Sequence, residues 1–343
     1  MYKNVDLSQI LYDFNVENFD LHKIKEKNSK KTRVVYKIES NNLFFCLKQT
    51  YFNENELLFI YSYLEWLRLY NIKVPYLIKS KQKKPFVNEN NKIYILTNWI
   101  HGDKLNYDDL DQCILSINFL SKMHNISKNI PFIKDSFQKI AFINLRQRYS
   151  KNIFSMNKIF ENAKSTNDNF SKIFLDYFKN FNILANFSNR IARIINFKNL
   201  NISMCHGDFV NKNIIINKNE IIPIDFDKAC INYSIYDLSY FLRRYLKRNN
   251  TKWNFDYAKT LINYYSKNNP LFLDEYLYLL SYLSFPQKFF KIGKFYFSNI
   301  KNLSKKQKNI QEYLLNKICS SFFAQFQFSI LLKEHIDSIF KIF

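Results

Sequence analysis

A chain of 343 residues, 47% of them apolar, can bury one large core or two lobes, and 35 Phe and 24 Tyr against only 3 Gly exclude a linker-rich or low-complexity protein. The formal charge of +22 comes from lysines spread along the chain among Asn, and no basic run is interleaved with a nucleic-acid motif, so no nucleic-acid partner is expected. Cys46, Cys113, Cys205, Cys230 and Cys319 are odd in number and form no C-x2-C pair, which excludes a disulfide framework and a zinc site; no signal-peptide core and no membrane-length apolar run occurs, so a cytoplasmic protein with reduced thiols and no membrane span is expected.

Residues 6–18 carry Leu7, Ile10, Leu11 and Phe14 at helical spacing. Residues 19–50 then read as a small antiparallel sheet, with Val34–Ile38 and Leu43–Lys48 as strands and Asn41-Asn42 as their turn. Asn53 to Tyr70 is a helix whose apolar face is Leu57, Leu58, Tyr61, Leu64 and Leu67, stopped by Val74-Pro75. Residues 76–100 form a second hairpin with a polar loop over Gln82–Asn91, and Gly102 follows at a place where the backbone needs it. Asp108 to His124 is an amphipathic helix, and residues 125–200 are mostly helical. After residue 230 come a helix opened by Ile235 and Asp237, Arg243-Arg244 in either a solvated or a cleft-facing position, and further helices over 253–343 that include Phe285-Pro286-Gln287-Lys288-Phe289-Phe290-Lys291-Ile292.

The chemistry concentrates between Met204 and Asp227. Two apolar runs, Ile214–Ile216 and Ile221–Ile224, flank Asn217–Glu220 and read as a β-hairpin. His206-Gly207-Asp208 feeds the first strand, Asn213 opens it, and Asp225-Phe226-Asp227 ends the second, so Asp208, Asn213 and Asp225 converge. Phosphoryl transfer calls for this set. One carboxylate orients the attacking hydroxyl and takes its proton, while an amide oxygen and a second carboxylate hold the Mg²⁺ that bridges the phosphates.

H-G-D-x4-N followed by I-D-F-D resembles the catalytic and metal-binding segments of the aminoglycoside phosphotransferase and choline kinase group, small-molecule kinases of the protein-kinase-like superfamily. The resemblance implies an α+β fold of two lobes: a small antiparallel sheet with one helix over residues 1–97, and a mainly helical lobe over 98–343. It implies Asp208 as catalytic aspartate, with Asn213 both catalytic and a Mg²⁺ ligand, and Asp225 as the second metal ligand. Asp227 would either assist or be solvated. Lys48 would clamp the phosphates of ATP or GTP. Glu54, Glu56 and Glu65 are the candidates to fix that lysine, and Glu56, in the first turns of its helix, is preferred. Asn98, Trp99 and Ile100 would form the hinge where backbone meets the base, and Asp237 would be structural. The nucleotide turn, Glu26 to Arg33, lacks glycine, so its lysines and Ser29 would have to meet phosphate.

Val35–Ile38, the strand ending at Lys48, the run from Glu56 to Arg68, LTNWIHG, PIDFDKACINYSIYDLSYFLRR and LSFPQKFFKIGKFYF together are similar to the CotS family of spore coat proteins. That likeness implies a small-molecule or sugar-like acceptor, other spore coat proteins as partners, and a place in the mother cell or the spore coat. A catalytically inert coat protein that keeps the kinase shell is the alternative.

Overall fold

The computed structural model describes residues 7–27 and 33–342. The chain packs as two compact units, residues 1–141 with 203–232 and residues 142–202 with 233–343. Residues 98–141 and the hairpin segment belong to the sheet-bearing unit.

In the first unit, α1 (Leu7–Asp13) is followed by β1 (Phe19–Lys27), β2 (Arg33–Ser40) and β3 (Leu43–Thr50). The helix is shorter than the expected 6–18 because Asn15 turns left-handed, with φ 58°. Ile10, Leu11 and Phe14 are buried against Ile38, Leu47, Tyr94 and Leu96 of the sheet. Asn41 and Asn42 both take positive φ, the backbone of the two-residue hairpin turn that matches strand twist. α2 (Glu54–Leu69) buries Leu57, Tyr61, Leu64 and Leu67 as its spacing predicts. The second hairpin closes more tightly than expected: β4 (Val87–Glu89) occupies part of the polar stretch, and Asn90-Asn91 turns the chain into β5 (Lys92–Asn98). The resulting sheet has the order β1-β2-β3-β5-β4, antiparallel throughout.

β6 (Asp103–Lys104), α3 (Leu110–Ile126, capped by Asp109), β7 (Ile202–Cys205), β8 (Ile214–Asn217), β9 (Glu220–Pro223) and β10 (Cys230–Tyr233) complete this unit, with β10 ending at its border. β6, β8 and β9 form one small sheet, and β7 pairs with β10. Gly102 is needed because its φ is 130° and a Cβ would stand 2.3 Å from the carbonyl oxygen of Ile216.

The second unit holds α4 (Leu145–Lys164), α5 (Asn169–Ile194), α6 (Ile235–Leu246), α7 (Phe255–Ser266), α8 (Leu273–Ser284), α9 (Gln287–Asn299), α10 (Lys305–Cys319) and α11 (Phe322–Phe340). α8 is buried from Asp274 to Ser284. Aromatic residues do much of the packing: Phe174 of α5 stacks on Phe289 of α9 with centroids 4.6 Å apart, and Phe170 stacks on Tyr296 at 3.7 Å. Asp237 is fully buried in the first turn of α6, and Ser234 holds the N-cap position. The five cysteines are free thiols. Among the described residues, no helix is long and apolar enough to cross a membrane.

Candidate active site

The expected hairpin forms, with β8 antiparallel to β9 and Ile214 opposite Pro223. Its turn is Lys218-Asn219, both at positive φ. This register sets Asn213 against Ile224, whose N–H donates to the Asn213 carbonyl at 2.8 Å, so Asn213 and Asp225 are neighbours across the strand ends. Asp225 itself sits in the left-handed region, φ 63° and ψ 60°, which aspartate tolerates better than bulkier residues. A short 3-10 turn over Phe226–Lys228 follows and carries Asp227 inward.

The loop before β8 is fixed by local bonds. Gly207 has φ 76°, and a Cβ there would lie 2.2 Å from the carbonyl oxygen of Lys228. The fully buried His206 accepts the Asp208 N–H at Nδ1 over 3.3 Å, which leaves Nε2 to donate to the Ile224 carbonyl at 3.1 Å. The ring thus ties the loop to the far strand of the hairpin. Asn213 donates from Nδ2 to the Asp208 carbonyl at 3.0 Å. With the amide so oriented, Oδ1 is the atom it can offer to a cation.

Asp208 is 5% exposed. Its Oδ2 accepts from Lys228 Nζ at 3.0 Å and lies 3.5 Å from Lys212 Nζ. Burial pushes its carboxyl up, but the hydrogen bond and charge of Lys228, aided by Lys212, outweigh that and hold it below the usual carboxylate range. The group is therefore an ionised base whose Oδ1 remains to meet a hydroxyl.

Lys48 reaches from β3 to the same corner. Its ammonium donates to Asp225 Oδ1 at 3.0 Å and to Asp227 Oδ1. Arg33, at the start of β2, donates to Asp227 Oδ2 at 2.9 Å and stands 3.8 Å from Asp225 Oδ1. Burial alone would lower the Lys48 amine, but Asp227 and Asp225 raise it above its ordinary value. Asp225 is pushed the other way, to about 2: burial raises it, and the charge and hydrogen bond of Lys48, then Arg33, overcome that.

Asp208, Asn213 and Asp225 thus gather at one end of the hairpin, as their spacing predicts, and Lys48 joins them there, as the resemblance implies. Asp227, left open by the sequence, is buried in the ion network. Glu56 is a correction. Its carboxylate accepts the Asn53 N–H at 3.0 Å while the Asn53 side chain accepts the Glu56 N–H at 2.8 Å, a capping box on α2, and Lys48 takes Asp225 and Asp227 as partners instead. Neither Glu54 nor Glu65 replaces it: Glu65 pairs with Arg68 and Glu54 accepts from Asn88. In the hinge stretch, the Trp99 N–H is already committed to the Phe44 carbonyl at 2.9 Å, and Asn98 Oδ1 accepts from the Tyr76 N–H at 2.9 Å. Ile100 is half-buried. Residues 28–32 of the nucleotide turn, Ser29 among them, lie outside the described residues. Arg33 and Lys228 are the site residues that sequence reasoning missed.

The donor set suits a hard divalent cation. Asn213 Oδ1 and the Asp225 carboxylate are oxygen donors on adjacent strand ends, and the Asp227 carboxylate stands in the same ion network.

The architecture has solved counterparts. An aminoglycoside phosphotransferase from Alicyclobacillus acidocaldarius superposes with a TM-score of 0.80 at 14% identity, over 98% of each chain. A spectinomycin phosphotransferase in complex with ADP and spectinomycin gives a TM-score of 0.65 at 15% identity, over 94% of this chain and 98% of that one. Choline kinase from Cryptosporidium parvum gives 0.51 at 12% identity, over 93% and 91%. No curated protein sequence matches. The fold is kinase-like, with a small antiparallel sheet lobe and a mostly helical one. The family model for choline/ethanolamine kinase matches residues 92–329, more than half of the chain and all of the catalytic hairpin, and the protein belongs to that family.

Proposed function

We propose that this protein transfers the γ-phosphoryl group of ATP, or of GTP, to a hydroxyl of a small-molecule or sugar-like acceptor. The observation that carries the reading is Asp208, a buried carboxylate kept ionised by Lys228, in the same loop and hairpin as Asn213, Asp225 and the Lys48 ammonium. Family membership and a structurally similar spectinomycin phosphotransferase that holds ADP support phosphotransfer in general.

In this reading Asp208 receives the acceptor's proton at Oδ1 as the acceptor oxygen bonds to the γ-phosphorus. The bond from that phosphorus to the β–γ bridging oxygen breaks, and the diphosphate leaves. Lys48 and Arg33 turn from the two aspartates to the phosphate oxygens, a charge-for-charge exchange. Mg²⁺ held by Asn213 Oδ1 and Asp225 would supply the charge that draws the phosphates and the leaving oxygen together. Asn213 also holds the Asp208 backbone in place through its Nδ2 bond.

The likeness to the CotS family extends the proposal to a spore coat protein of the mother cell that works beside other coat proteins. The lysine already closed on both carboxylates favours a second reading, a coat scaffold that keeps the kinase shell. Incubation with labelled ATP and panels of sugars, amino alcohols and aminoglycosides tests the first reading. We expect transfer to at least one hydroxyl-bearing class, lost in Asp208→Asn. Absence of transfer to every class, with no release of phosphate, would leave the scaffold.

A further inference from the structure

The helical unit contains a cavity that the catalytic groups do not use. It measures about 560 Å³, within the range of small-molecule sites. Nine cationic side chains line it and, among the described residues, no Asp or Glu does. Arg243, Arg244, Lys247 and Arg248 come from the end of α6 and the turn after it, and Lys288 and Lys291 from the first turns of α9. These are the Arg243-Arg244 pair and the FPQKFFKI segment that sequence analysis singled out and that phosphotransfer chemistry leaves unexplained.

Ordinary causes do not account for the cluster. Cations at the end of α6 meet the negative end of the helix dipole, but Lys288 and Lys291 stand at the positive end of α9, where a cation is disfavoured. α9 has no side-chain cap and no acidic residue in its first turn. Arg243 lies over the Tyr282 ring at 3.7 Å, and its Nε and Nη2 are buried without an acceptor. Burial also pushes the Tyr282 phenol up, so the aromatic wall supplies no counter-charge. Lys247 is driven down to about 8, first by desolvation and then by Arg244, Lys288, Arg243 and Lys291. Among the described residues the lining offers no carboxylate, and two buried guanidinium N–H groups with no acceptor are costly to a resting protein.

We infer that this cavity binds a small polyanion, a molecule carrying two or more phosphate or carboxylate groups, through Arg243, Lys247 after α6, and Lys288 and Lys291 of α9. The guanidinium offers its unpaired N–H groups to one anionic group, and the lysines surround the others.

The test uses the full chain without nucleotide. Tripolyphosphate and citrate are titrated by calorimetry and thermal melts at ionic strength matched with NaCl, against Lys288→Gln/Lys291→Gln, Arg243→Met, Lys48→Ala and the surface control Lys305→Gln/Lys306→Gln. We expect stabilisation by at least one anion and at least tenfold weaker binding in the α9 double variant. The double variant should also melt higher than the parent when no anion is present, because like-charge repulsion is relieved. In a Lys48→Ala background, which removes the phosphate clamp of the catalytic corner, the α9 substitutions should still weaken binding at least tenfold, so a failed kinase assay would leave the inference standing. A response to tripolyphosphate alone points to phosphorylated ligands, and a response to citrate alone to polycarboxylates. Binding that survives the α9 substitutions, falls equally in the surface control, or is no stronger than that of chloride overturns the inference.

Discussion

Asp208 illustrates how two exposed lysines can set the state of one buried carboxylate. Lys228 has a 57% exposed side chain and contributes little to stability by itself, yet its ammonium reaches Asp208 Oδ2 at 3.0 Å and holds the carboxyl below its usual range. Replacement Asp208→Asn keeps the shape and removes the base, so transfer should fall by about 10²- to 10⁴-fold while nucleotide affinity stays near that of the parent. Activity within threefold of the parent would remove Asp208 from this role. Lys228→Ala should act more gently and only on the acid side. A base works when deprotonated, so activity fades as pH falls through its pKa. Without the Lys228 cation that pKa rises, and the acid limb of the kcat/KM profile should move to higher pH. An unmoved acid limb would mean that Lys228 does not tune the base.

At the scale of the element, the loop and hairpin hold the site by backbone geometry. Gly207→Ala would force a side chain into φ 76° and within 2.2 Å of the Lys228 carbonyl. Denaturant melts should show a loss of about 2–3 kcal/mol or more, at the upper end of ordinary single-residue effects. A loss under about 0.5 kcal/mol would show that the loop can relax. The hairpin was legible because two short continuous apolar runs around a polar turn and acids at fixed offsets are local signals. Lys48 was legible once the hairpin was, as the cation that follows the apolar run Leu43–Leu47, although the strand itself runs on to Thr50. Arg33 and Lys228 were not. Each is one of 51 basic residues, and their roles come from contacts 194 and 20 positions away that no local pattern marks. Glu56 could have been placed from sequence. The N-x-x-E spacing of Asn53 and Glu56 at a helix start is a capping signature, and it competes for the same carboxylate. The cation-lined cavity drew on residues from helices far apart in sequence, so its basic residues read singly as solvated charges.

For the whole molecule, the network of Lys48, Arg33, Asp225 and Asp227 joins β2 and β3 to the end of the hairpin and should govern both acid stability and ligand response. Asp225 has its pKa depressed from 3.8 to about 2, so its stabilising effect is complete above about pH 4 and is lost as pH falls through about 2. Asp225→Asn should therefore be less stable than the parent at neutral pH, with the gap closing between pH 4 and 2; a gap independent of pH would assign the loss to packing. The same residue decides between enzyme and scaffold. If the oxygens of Asn213 and Asp225 share a metal with nucleotide phosphates, Mg²⁺ and ATP together must stabilise the fold beyond either alone. A ligand at 100 times its dissociation constant adds about 2.7 kcal/mol, which for a chain of this size is a rise of a few degrees in Tm. The phosphates must also take over Lys48 and Arg33 from the aspartates, so Lys48→Ala should weaken nucleotide binding, and Asp225→Ala should abolish the Mg²⁺-dependent part of the shift while leaving some response to ATP. Melts with ATP, with Mg²⁺ and with both, at millimolar concentrations, read this directly. A combined shift no larger than the greater single one would mean that Lys48 and Arg33 serve as permanent counter-ions for the acidic pair and that the protein acts through its fold alone.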